Sequence, residues 1–110
     1  MGAIVACGAK PVLVDCDDRF QIDHNKIISK ITNKTKAIIV VHLAGNPCDL
    51  DNLINLCEKY KIVLIEDFSQ AHGAKWDGKK VGSYGQISYG SFQQSKQITC
   101  GEGGIIVTYD

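Results

Sequence analysis

The sequence predicts an α/β fold built on a mostly parallel sheet. Short β-branched runs recur along the chain, helical patterns separate them, and polar residues stand where the runs end. At 110 residues the chain fits one domain and is short for two. Repeats, low-complexity tracts and linkers are absent.

The elements follow in order. Residues 2–9 are small and apolar and read as the tail of a helix. Residues 11–15 form a short buried-strand pattern that runs into the acidic cluster Asp15, Asp17 and Asp18. Residues 23–31 read as a helix, with Asp23 placed to cap it and Ile27, Ile28 and Ile31 on one face. Residues 37–42 give the clearest strand, β-branched and uncharged until His42. Residues 49–60 give the clearest helix. Its apolar stripe is Leu50, Leu53, Ile54, Leu56 and Cys57, and Asp49 or Asp51 is positioned to cap the N-terminus. Residues 62–65 form a second buried strand ending in Glu66 and Asp67. Residues 74–85 contain Asp77-Gly78 and two further glycines, a hairpin pattern. Residues 87–92 are a strand, Lys96 follows in a loop, and Gly101, Gly103 and Gly104 permit a reversal into a last strand over 105–108.

Composition excludes several classes. Twelve basic residues balance twelve acidic ones, so the surplus positive charge expected of a nucleic-acid binder is missing. No apolar run is long enough to cross a bilayer, and no leader pattern points to secretion. Five cysteines without a CxxC pair read as reduced thiols, which places the expectation in the cytoplasm. No cysteine or carboxylate joins a histidine at metal-ligand spacing, so no metal is assigned.

In open α/β sheets ligands bind at the carboxyl edge of the strands. That rule nominates His42, Asp67, Ser69, Gln70 and His72, with Ser91 and Lys96 joining from the fourth strand and its loop. An aspartate at a buried strand end and a lysine near the same pocket suit one cofactor chemistry. The lysine amine captures an aldehyde, and the carboxylate keeps a pyridine nitrogen protonated so that the ring accepts electrons. By spacing alone this pairing is common among α/β proteins.

Motifs in register add to the pairing. IEDFSQAHGA (residues 65–74), KKVGSYG (79–85), SFQQSK (91–96) and GEGG (101–104) occur in that order, preceded by GAKP (8–11), KTKAII (34–39) and HLAG (42–45). Together they resemble the cofactor-binding core of the DegT/StrS-type pyridoxal-phosphate-dependent sugar aminotransferases. The resemblance implies an aspartate-aminotransferase-type large domain, of which residues 1–110 supply a partial, mostly parallel sheet. It implies that Lys96 is the Schiff-base lysine and proton shuttle, Asp67 the partner of the pyridinium nitrogen, Gln70 a residue beside the ring and its 3-hydroxyl, and Ser91 a hydroxyl on the cofactor phosphate. Dehydratase members of the family carry histidine at the lysine position; Lys96 therefore favours transamination. The implied reaction moves an amino group from glutamate or glutamine to a nucleotide-linked keto-sugar or related cyclic ketone. Neither nucleic acid nor membrane enters that reading.

The family pattern is several-fold longer than this chain. The expectation is thus a fragment of the large domain, with the upstream phosphate-binding part and the C-terminal small domain absent, a homodimer for the intact parent, and little or no activity for residues 1–110 alone. A non-catalytic piece that is inert or binds a full-length homologue is the main alternative. A phospho-receiver module is a third, since Asp17, Asp18, Asp67 and Lys96 imitate its layout. Receivers follow the lysine with proline, however, and here Gln97 follows. His42 and His72 are expected to be hydrogen-bonded structural residues, Gly101–Gly104 a turn, and the acidic trio a solvated loop.

Overall fold

The computed structural model describes residues 1–109. Its elements are α1 (Gly2–Ala6), α2 (His24–Ile28), β1 (Ala37–Val41), a 3-10 turn (Leu43–Gly45), α3 (Leu50–Tyr60), β2 (Val63–Asp67), β3 (Lys75–Trp76), β4 (Lys79–Lys80), β5 (Ile87–Ser91) and β6 (Gly104–Thr108). Four strands form one sheet in the order β1-β2-β5-β6. The first three are parallel and β6 runs antiparallel beside β5. The α/β class with a mostly parallel sheet is therefore the observed one.

Helix α3 is the crossover that makes β1 and β2 parallel. Asp49 caps it, its side chain accepting from the Asn52 backbone N–H at 3.3 Å. The helix ends where Lys61 adopts the left-handed conformation at φ 54°. The Ile62 N–H then returns to the Cys57 carbonyl at 2.9 Å, which turns the chain directly into β2. Leu50, Leu53, Leu56 and Cys57 point into the sheet and are buried with Ile38, Val40 and Leu64. Each such side chain contributes about 1.5–3 kcal/mol relative to exposure.

Strand alternation gives the sheet two unlike faces. Ile38 and Val40, Leu64 and Glu66, and Ser88 and Gly90 form the buried rows on the α3 side, with the Phe68 ring over Gly90. Val41, Val63, Ile87 and Ile106 belong to the opposite rows and stay exposed, Ile106 at 75%.

Several boundaries depart from the sequence reading, α2 ending at Ile28 rather than at residue 31 and β1 at Val41 rather than at His42. Residues 11–15 form no strand; they run extended, and only the adjoining Cys16 bridges back to Ile22. A strand needs a neighbouring strand to take up its backbone groups, and among the described residues only the Asp15 carbonyl finds a partner, in the Asp23 N–H. Strand β2 extends through Glu66 and Asp67, because both continue the ladder, with Val40 opposite Glu66 and Val41 opposite Asp67. The hairpin is confirmed as β3 and β4 closed by Asp77 and Gly78, both at positive φ. Among the described residues no helix is long and apolar enough to cross a membrane.

Candidate functional site

Parallel strands place their carboxyl ends together, and here those ends carry Asp67 on β2 and Ser91 on β5. Asp67 Oδ1 accepts from the Ser69 N–H at 2.9 Å. Ser69 Oγ accepts from the Ser91 N–H at 3.0 Å, which ties the loop after β2 to the end of β5. Ser91 Oγ accepts from the Gln93 N–H at 3.2 Å, and the Gln93 carbonyl accepts from the Lys96 N–H at 2.9 Å. A continuous chain of hydrogen bonds thus runs from the Asp67 carboxylate to the Lys96 backbone. Among the described residues no hydrogen bond or ion pair forms at Lys96 Nζ.

Gln70 is fixed from two sides. Its Oε1 accepts from the Ala44 N–H at 3.0 Å, in the 3-10 turn after β1. Its backbone carbonyl accepts from Gln97 Nε2 at 3.3 Å, from the residue beside Lys96. The four predicted site residues, Asp67, Gln70, Ser91 and Lys96, therefore belong to one connected edge. The donor set suits pyridoxal phosphate: a carboxylate for the ring nitrogen, a hydroxyl whose proton is free to donate to phosphate, and a primary amine for the aldehyde.

Phe68 locks this edge mechanically. A Cβ on Gly90 would sit 2.4 Å from Phe68 Cε2, and one on Gly82 would sit 2.6 Å from Phe68 Cδ1. Two side chains are omitted so that one ring can lie flat against backbone. The ring in turn sets the backbone on either side of it, at Asp67 and Ser69.

The other nominated residues divide. His42 is fully buried on the α3 side of the sheet, on the face opposite Asp67, and does not line the site. Its Nδ1 accepts from the Cys48 N–H at 3.0 Å, which puts the ring proton on Nε2, 2.9 Å from Glu66 Oε2. Glu66 also accepts from the backbone N–H groups of Gly82, Tyr84 and Gly85 at 2.6–2.8 Å. Burial works to raise the Glu66 carboxyl, but the His42 donor and these three N–H groups hold it below its ordinary value of 4.5. His72 departs from expectation. It stacks on Phe92 at 5.4 Å and meets Phe68 edge-on at 5.8 Å, yet both ring nitrogens are buried without a partner. The acidic trio is loop as expected: Asp17 accepts from Arg19 and Gln21 N–H groups, and Asp15 pairs with Lys26.

Sequence reasoning passed over Glu66 and Tyr89. Glu66 was legible only as half of an acidic pair at a strand end. Tyr89 had a usable signal, since it precedes Ser91 by two and so shares its face.

Comparison with known proteins bears on this arrangement. The model of the DegT/DnrJ/EryC1/StrS aminotransferase family matches residues 1–110. A GDP-perosamine synthase of Escherichia coli O157:H7 is 47% identical over 111 residues, covering 100% of this chain and 30% of that protein. An aminotransferase from Psychrobacter cryohalolentis has the same fold at a TM-score of 0.96 and 45% identity, over 100% of this chain and 28% of its own. Spr1654 of Streptococcus pneumoniae, in its PLP form, superposes at a TM-score of 0.93 with 34% identity, over 99% of this chain and 32% of its own. The chain spans less than a third of the length of the curated relatives it matches.

Proposed function

The chain belongs to the DegT/DnrJ/EryC1/StrS aminotransferase family, and from that membership we propose that it forms the lysine-bearing part of a pyridoxal-phosphate-dependent aminotransferase acting on a sugar or related cyclic ketone. The observation that carries this reading is the hydrogen-bonded chain Asp67–Ser69–Ser91–Gln93–Lys96, which holds a carboxylate and a free amine on one sheet edge. Membership in an aminotransferase family displaces the phospho-receiver alternative.

When bound, pyridoxal phosphate supplies an electron-accepting ring and an aldehyde at which amino groups are exchanged. Asp67 holds a proton on the ring nitrogen, its geometry preset by the Ser69 N–H. Lys96 Nζ would hold the cofactor through its aldehyde and would move the proton at the reacting carbon, as general base and general acid in the two half-reactions. Ser91 donates its hydroxyl proton to phosphate while its oxygen stays fixed by the Gln93 N–H. Gln70, held by Ala44, flanks the ring.

A nucleotide-linked keto-sugar is the proposed acceptor and glutamate or glutamine the proposed donor. The GDP-perosamine synthase relative supports the sugar class. A homodimer and a cytoplasmic setting complete the proposal for the intact protein, with residues 1–110 as a portion of its large domain. Borohydride reduction after addition of pyridoxal phosphate tests it: the label should map to the peptide containing Lys96. Label spread over many lysines would overturn the assignment.

A further inference from the structure

We propose that Tyr89 is a positioning residue for Asp67, fixing the carboxylate that meets the cofactor's ring nitrogen. This deepens the function proposed above and rests on it. In the β2–β5 ladder Asp67 and Tyr89 are direct partners. Paired residues on parallel strands project to the same face, so the two side chains stand side by side, away from α3. The backbone locks the register at this point, the Phe68 N–H donating to the Tyr89 carbonyl at 3.0 Å. The Phe68 ring, wedged against Gly90, closes the other side of the same two strands.

The Asp67 carboxylate has more acceptor capacity than its backbone contact uses. Oδ1 receives the Ser69 N–H, and no backbone donor reaches Oδ2 among the described residues. A phenol beside it is a donor that remains protonated. Burial and the nearby Asp67 charge push the Tyr89 hydroxyl up to about 12. Tyr89 is half-buried, so its ring also screens the carboxylate from water on that flank. In the proposed arrangement the phenol donates from one side and the Ser69 N–H from the other, which leaves the carboxylate one direction in which to face a ligand nitrogen. Tyr89 itself makes no contact with the reacting carbon in this account; it acts through Asp67.

The test uses the intact protein and two probes. One is pyridoxal phosphate; the other is its analogue with carbon in place of the ring nitrogen. Affinity is read from the absorbance of the bound chromophore, independently of turnover. Tyr89→Phe should weaken pyridoxal phosphate binding about three- to tenfold and leave the analogue's affinity unchanged, because a hydrogen bond to a charged group is lost only where that charge is used. Asp67→Asn should show the same selectivity with a larger loss. Equal weakening of both probes by Tyr89→Phe would make the residue a packing element and overturn the proposal, as would an unchanged affinity for pyridoxal phosphate. Retained selectivity of Asp67→Asn in that second outcome would leave the proposed function standing. Failure of the unsubstituted protein to bind pyridoxal phosphate would overturn both.

Discussion

Glu66 and Asp67 are adjacent carboxylates with opposite fates, decided by which way a strand residue points. Asp67 faces the open side; Glu66 is fully buried under five donors, including Ser88 Oγ at 3.4 Å. Because its folded value lies below 4.5, Glu66 stabilises the fold fully above that unfolded value and loses the contribution as pH falls through the folded value. Glu66→Gln should therefore cost about 2–4 kcal/mol near neutrality, by turning an amide N–H₂ toward donors, and should flatten the acid limb of a Tm-against-pH curve. A variant with an unchanged acid limb would show that Glu66 is not the group responsible. Lys96→Ala should abolish both the reductive label and turnover of the intact protein, whereas loss of one without the other would divide capture from proton transfer.

At the scale of elements, α3 carries two separable end effects. Asp49→Ala removes a capping acceptor and should destabilise by about 1 kcal/mol. Lys61→Gly should do the reverse, by up to about 1 kcal/mol, since glycine takes the left-handed φ without a Cβ penalty. Thermal unfolding of the two variants against the parent measures both, and a destabilised Lys61→Gly would contradict the end geometry. What could be read from sequence follows the same lines. The α3 stripe, its cap and the β-branched run of β1 were legible because periodicity and capping are local. The 11–15 strand was misread because pairing is not local: its apolar pattern is genuine, but no strand lies beside it. The position of Lys96 in a loop and of Asp67 at a strand end was legible from motif order. The linkage through Ser69 and Gln93 was not, since it depends on which strand ends adjoin. His42 was placed at the right strand end but on the wrong face for the site, a consequence of one residue's difference in a period of two.

Across the whole molecule the two faces of the sheet differ in what covers them. One packs against α3; the other leaves Val41, Val63, Ile87 and Ile106 each at least 37% exposed. Exposed apolar rows of this kind drive association. Residues 1–110 produced in isolation should therefore self-associate and bind an apolar dye, and Ile106→Lys should lower both, as followed by sedimentation and fluorescence. A monodisperse, dye-silent monomer would show that the face closes on itself in solution.

The ring of Phe68 and the bare backbone of Gly90 occupy one volume between them, contributed from two strands. Neither position can drift freely. A methyl added at residue 90 alone meets the ring, and a small residue at 68 alone leaves a hole of ring size beside the carboxylate. Gly90→Ala should be strongly destabilising by itself and largely rescued when combined with Phe68→Ala, a coupling visible in a double-mutant cycle. A descendant sequence that carries its aromatic on β5 instead of the β2 loop must thus have crossed either a clash or a void. The two positions are expected to change together in ancestry, as a single inherited character written at two sites.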